Sequence, residues 1–146
     1  HEYKKNTPNS LLMLVGDGDE KPHILQMINE LGINDSVILT GQRDDVVRIY
    51  RAFDLFMLTS FHESSSIVTV EAQLSDIRCV VADSIPSSVV ISDKVNRIPL
   101  TADKAIWISA INGELPKDPM ASTISEFAKS GVMERLIGIY KSNDTE

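Results

Sequence analysis

His62-Glu63-Ser64-Ser65-Ser66-Ile67-Val68-Thr69-Val70-Glu71 is the stretch on which the fold turns. It follows the apolar run Leu55-Phe56-Met57-Leu58, which reads as a buried strand. It opens a second apolar run that reads as a helix, with three serines at its start. Serine suits a helix N-terminus because its oxygen accepts a hydrogen bond from an N–H that the first turn leaves unpaired. A strand, a short polar loop and a helix N-terminus make an anion site: free N–H groups and the positive end of the dipole point the same way. The two glutamates stand eight positions apart, one before the helix and one inside it. Their expected work differs from that of the anion site: they accept hydrogen bonds from hydroxyls beside it. Phosphate plus hydroxyls points to a nucleotide sugar.

The position of Glu71 on the helix supports that division. At about 100° per residue, Ile67, Val70 and Leu74 share one face and Val68 and Ala72 another. Thr69 and Gln73 share the polar side, and Glu71 falls away from it, between Ile67 and Val68. A carboxylate with apolar neighbours needs partners, because an unpaired buried charge is costly. The bland alternative is an acidic residue near a helix start, in water and helped by the dipole.

The segment resembles the E-x7-E motif of the retaining, two-lobed (GT-B fold) glycosyltransferases of the group 1, or family 4, class. Glu63 and Glu71-Ala72 match that motif. Three further blocks match in the same order: residues 11–18 (LLMLVGDG), 37–46 (VILTGQRDDV) and 53–60 (FDLFMLTS). The spacing of two glutamates is weak by itself; four ordered blocks over roughly residues 10–100 are specific.

The resemblance implies an α/β fold with a Rossmann-like parallel sheet flanked by helices, one lobe of a GT-B enzyme. It makes residues 1–146 a single C-terminal, nucleotide-sugar-binding lobe, truncated at its N-terminal end. In the family a first strand with an Arg and a Lys clamps the donor diphosphate, and this chain has no counterpart. Glu63 is the implied catalytic residue, holding hydroxyls of the donor sugar, and Glu71 the ribose ligand. Backbone N–H groups of Ser66, Ile67 and Val68, with Ser65 in the same loop, are implied to hold the diphosphate. Gly41, Gln42 and Arg43 are implied to lie against the base, with Gly16 at a neighbouring strand end. The donor is expected to be a nucleoside diphosphate sugar, a UDP-sugar, with no metal and no tightly bound cofactor. The acceptor would be a glycan or lipid-linked molecule of polysaccharide or glycoconjugate synthesis. It would be held by an N-terminal acceptor-binding lobe that also supplies any peripheral membrane contact. This chain alone should then not turn over.

The pattern also departs from the family. Ser64 stands where glycine is expected, Ser66 at the proline-like position, and Asp76-Ile77-Arg78 in place of Gly-x-Pro. Ser87-Ser88 replace a later acidic position. A competing reading is therefore a degenerate, non-catalytic nucleotide-sugar-binding or interaction module.

The rest of the chain agrees with a soluble α/β domain. Hydrophobic content of 42% and charged content of 24% are enough for a packed core. A net charge of −7 argues against nonspecific nucleic-acid binding, which needs a basic footprint. No apolar run is long enough to span a membrane. The single cysteine, Cys79, lies in the apolar run Cys79-Val80-Val81-Ala82 and reads as a core residue, compatible with a reducing cytoplasm. The three histidines (His1, His23, His62) are dispersed, and His62 reads as a loop residue.

Residues 1–10 read as a helix end with a Thr-Pro-Asn stop, and residues 11–15 as a strand buried on both faces. Gly16-Asp17-Gly18 closes that strand, without the third glycine of a dinucleotide fingerprint. Pro22 opens a helix with a stripe of Ile24, Leu25, Ile28 and Leu31, ended by Gly32. A strand follows at residues 37–39. Asp44 or Asp45 then caps a helix through Tyr50, with Arg48 and Arg51 on its wet face. Arg43 reads equally as a base- or phosphate-binding group and as a solvated loop charge. Thr101 is expected to cap a helix carrying Ala105, Ile108 and Ile111, with Trp107 in packing. Residues 120–140 are expected to hold one or two more helices, with Met133, Leu136, Ile137 and Tyr140 at helical spacing, before a frayed tail. Strands alternating with helices imply βαβ units, whose ligands bind at the carboxyl ends of the strands. Gly16, Gly41, Glu63 and Asp83 all follow strands.

Overall fold

Apolar runs of four or five residues, each followed by a polar loop and a helix, fold as the alternation requires. The computed structural model describes residues 1–116; the helices expected within residues 120–140 and the tail lie outside them. The chain divides into two units, His1–Val46 and Val47–Glu146. Every strand pair among the described residues is parallel, in a Rossmann-like α/β arrangement with flanking helices.

The first unit holds α1 (Glu2–Asn6), β1 (Leu12–Val15), α2 (Lys21–Glu30) and β2 (Val37–Gly41). β1 pairs with β2 from Leu12↔Val37 to Leu14↔Leu39, and the register then slips so that Val15 faces Gly41. Thr40 is the residue passed over, and its hydroxyl donates to Leu14 O at 3.3 Å and Gly41 O at 2.9 Å. The slip brings Gly16 beside Gly41, with Gly16 N–H donating to Gly41 O at 2.9 Å. β1 is not buried on both faces: Leu12 is 45% and Val15 41% exposed. Its sheet has two strands, and of the α2 stripe only Ile28 is buried, so this apolar run lacks the two covering layers that its composition predicts.

The second unit begins with α3 (Val46–Arg51), whose first residue belongs to the preceding segment. It continues with β3 (Leu55–Leu58), α4 (Ile67–Leu74), β4 (Arg78–Ala82), β5 (Val95–Ile98) and α5 (Lys104–Asn112). The sheet order is β3-β4-β5, with α4 on β3 and β4 and α5 on β4 and β5. β4 is the central strand, and Cys79, Val80, Val81 and Ala82 are all buried, as their run predicts. β3, on the edge, leaves Met57 exposed, so it is half-buried and not the fully buried strand expected. Val80, Ile98 and Ala110 form a core into which Leu55 and Trp107 pack.

α4 is turned relative to the expected helical wheel. Thr69 and Gln73, read as the polar side, are buried, while Ile67 and Val68 are 54% and 41% exposed. The reason is hydrogen bonding. Gln73 Nε2 donates to Thr69 O at 3.0 Å and to Val89 O at 2.9 Å. Its Oε1 accepts from Ile91 N–H at 2.8 Å, Ser92 N–H at 3.0 Å and Ser92 Oγ at 3.3 Å. A buried amide is tolerated when its donors and acceptors are paired, as these are.

The helix ends show two further differences. α5 starts at Lys104 and is capped by Asp103, whose carboxylate accepts from Ala105 N–H at 2.7 Å; Thr101 lies in the turn before it. α5 buries Ala110 and exposes Ala105. It ends at Gly113, with φ +76°, and a Cβ there would stand 2.8 Å from Arg78 Nη1. Arg78 Nη2 meanwhile donates to Ile111 O at 3.0 Å, tying the start of β4 to the end of α5.

Among the described residues no helix is long and apolar enough to cross a membrane. Replacing Gln73 by leucine should cost about 2–4 kcal/mol in urea unfolding, since two N–H groups and a carbonyl lose their partner; a loss under ~0.5 kcal/mol would mean that the amide does not hold this loop. Burial pushes the Cys79 thiol up to about 12. The native protein at pH 8 should therefore resist Ellman's reagent and label fully in denaturant, and rapid native labelling would contradict that burial.

Candidate functional site

The loop between β3 and α4 carries the first glutamate. Ser60 Oγ donates to Glu63 Oε1 at 2.9 Å. Ser84 Oγ, from the loop after β4, donates to Ser60 O at 2.5 Å. Two loops at the carboxyl ends of adjacent parallel strands thus brace one carboxylate, the position at which such sheets bind ligands. Phe61, between Ser60 and Glu63, is 90% exposed.

Ser66 occupies the N-cap of α4, yet its side chain does not cap the helix. Its hydroxyl is buried and shares a 2.8 Å hydrogen bond with the Thr69 hydroxyl. The expected serine cap is therefore replaced by a side-chain pair that staples the first turn from within. Ser66 O accepts from Thr69 N–H at 3.1 Å and Val70 N–H at 3.3 Å, and Ile67 N–H donates to Ser65 O at 3.2 Å. Ser66 and Val68 N–H meet no acceptor among the described residues. The helix start thus keeps orphan donors and the positive end of its dipole.

Glu71, one turn along, has the partner that its apolar neighbours require. Tyr50 Oη lies 3.2 Å from Glu71 Oε2 and 3.2 Å from Val68 O. Tyr50 is buried, and its ring packs edge-on against Phe53 and Phe56, with centroids 6.3 and 5.9 Å away. Glu63, Ser65, Ser66, Ile67, Val68 and Glu71 all lie on one loop and the first turns of one helix.

Gly16, Gly41, Gln42 and Arg43 belong to the first unit. Gly16 and Gly41 adjoin, and Gly41, at φ +67°, adopts a backbone conformation that favours glycine. Arg43 is paired in its own loop: Nε and Nη2 donate to the two Asp45 oxygens at 2.8 and 2.7 Å. That hydrogen bonding, with the carboxylate's charge, raises the guanidinium pKa further. In the neighbouring loop, Lys21 lowers the Asp17 pKa through a 3.0 Å hydrogen bond. Among the described residues no group of His, Cys, Asp and Glu is arranged to hold a metal ion.

Sequence reasoning missed Tyr50, Ser60 and Ser84 as neighbours of the glutamates. Tyr50 ends an amphipathic helix and looks like core. The two serines carry no pattern that marks them, since each acts through a loop contact across strands. The backbone accounts for two of the departures from the resembled motif. Asp76 is the one non-glycine with positive φ among the described residues, at +61°, so Ser64 needs no glycine-like backbone. Asp76 sits just past α4, where Asp76 N–H donates to Gln73 O at 3.0 Å and Ile77 N–H to Ala72 O at 3.4 Å. That is a Schellman ending, which favours glycine. Lys94 Nζ partly compensates by donating to the Asp76 carbonyl and carboxylate.

Comparison with known proteins gives the family and the fold. The family model described as "Glycosyl transferases group 1" matches residues 2–113. The chain is 39% identical over 69 residues to N-acetyl-alpha-D-glucosaminyl L-malate synthase of Bacillus anthracis, covering 47% of this chain and 18% of that protein. It is 30% identical over 118 residues to D-inositol 3-phosphate glycosyltransferase of Salinispora arenicola, covering 78% of this chain and 26% of that protein. The chain thus spans about a quarter or less of these two relatives' length. Its fold matches the pneumococcal O-GlcNAc transferase GtfA, solved with UDP and GlcNAc. The TM-score there is 0.69, at 18% identity, over 97% of this chain and 30% of that one.

Replacing Asp76 by glycine should stabilise the protein by about 0.5–1 kcal/mol, because relief of the left-handed backbone outweighs an exposed lysine pair. A lowered midpoint in urea would mean that the Lys94 contact dominates.

Proposed function

This chain belongs to the group 1 glycosyl transferases, and we propose that it is the donor-binding lobe of a retaining enzyme. The whole protein would move a sugar from a nucleoside diphosphate sugar, a UDP-sugar, to a glycan or lipid-linked acceptor. Residues 1–146 would form one C-terminal lobe, paired with an N-terminal acceptor-binding lobe, in the cytoplasm or at the inner membrane face.

One observation carries the reading. Two carboxylates, each hydrogen-bonded to a hydroxyl of its own unit, flank the N-terminus of α4 directly after β3. The division of labour follows from charge. Diphosphate is attracted to orphan N–H groups and the helix dipole. As the sugar–phosphate bond breaks, negative charge grows on the leaving phosphate, so donors fixed beforehand stabilise the transition state. Carboxylates accept hydrogen bonds and so suit hydroxyls: Glu71 the ribose pair, Glu63 those of the transferred sugar. Gly16 and Gly41 would allow close backbone approach, and Gln42 and Arg43 would lie near the base. The competing reading, a module that lost its chemistry, rests on the serines. Ser64 carries no positive φ, which favours the donor-lobe reading.

Titration of the protein with UDP and GDP, by calorimetry, tests the reading. UDP is expected to bind more tightly than GDP. Glu71→Ala should weaken UDP by roughly 10- to 100-fold, the worth of hydrogen bonds to a charged acceptor. Unchanged UDP affinity in a folded Glu71→Ala protein would sink the proposal.

A further inference from the structure

We propose that Tyr50 is a positioning residue for Glu71, and that its hydroxyl sets the carboxylate in the orientation that receives the donor's ribose hydroxyls. The inference rests on the donor-lobe reading and adds a residue outside the glutamate motif. A glutamate side chain on a helix surface is free to rotate about three bonds, and ordering it costs entropy. Here the order is supplied in advance. Tyr50 is 6% exposed, and its ring is gripped by Phe53, in the turn after α3, and by Phe56 of β3. A phenol has two side-chain torsions, both fixed by this packing, so its oxygen stands at a defined point.

That point is 3.2 Å from Glu71 Oε2 and 3.2 Å from Val68 O. The phenol has one proton for two acceptors, and the charged carboxylate forms the stronger bond. Tyr50 therefore donates to Glu71, with its oxygen also 3.2 Å from Val68 O in the first turn of α4, whose N–H groups are the candidate phosphate donors. A carboxylate offers about four lone-pair sites, so one phenol bond does not exhaust it. The phenol fixes the direction of the others.

The test compares UDP with 2′,3′-dideoxy-UDP, which keeps the base and phosphates and lacks the hydroxyls. In the full chain, Tyr50→Phe should weaken UDP about 3- to 10-fold, the worth of one hydrogen bond, and leave the dideoxy nucleotide unchanged. Tyr50→Phe should add nothing further in a Glu71→Ala background. A purely structural role predicts equal weakening of both nucleotides, and that result, or wild-type UDP affinity in Tyr50→Phe, would overturn the proposal. The donor-lobe reading fails separately, if Glu71→Ala leaves UDP binding unchanged.

Discussion

The buried amide of Gln73 is the contact on which the second unit depends. It lies on the inner face of α4 and joins that helix to the segment at residues 89–92 through four hydrogen bonds. The loop that it holds leads from β4 toward β5. Apolar packing alone would hold the helix against the sheet yet leave its rotation loosely set, because aliphatic side chains fit more than one register. A paired amide is directional. It fixes which side of α4 faces in, and so which residues of the helix remain outside for a ligand.

That rotation has a consequence for the site. With Thr69 and Gln73 inside, Ile67 and Val68 are turned outward, and Glu71 sits at the half-buried boundary between the two faces. The Ser66–Thr69 hydroxyl pair completes the inner seam at the first turn. Because Ser66 spends its hydroxyl there, the backbone N–H groups of the first turn are not all satisfied by the chain's own side chains. The same choice that secures the helix leaves donors at its end unpaired among the described residues.

Much of this was legible in the sequence, and the exceptions share one cause. β3 and the central strand β4 fall on the runs that predict them, since continuous apolar stretches between polar loops have few other solutions. The family resemblance is carried by ordered blocks and agrees with the fold. Polarity was a poor guide wherever the deciding fact was a partner distant in sequence. Gln73 looked wet because its loop at residues 89–92 cannot be read from the helix. Thr101 looked like a cap, but Asp103, two residues later, reaches Ala105 N–H. β1 looked doubly covered because composition reports what a strand could bury, not what lies over it. Tyr50 and Ser84 were invisible for the same reason.

Arg78 and Gly113 show how one distant contact joins two ends of the fold. The guanidinium occupies the space that any side chain at 113 would enter, and its hydrogen bond to Ile111 O rewards it for staying. A side chain at 113 would require the Arg78 guanidinium to shift, on top of the backbone strain at φ +76°. A residue smaller than arginine at 78 would open room beside the helix end, while any side chain at 113 would strain the left-handed backbone and displace the guanidinium. One guanidinium thus couples the space at position 113 to the start of β4, although 33 residues separate Arg78 from the Ile111 carbonyl it binds.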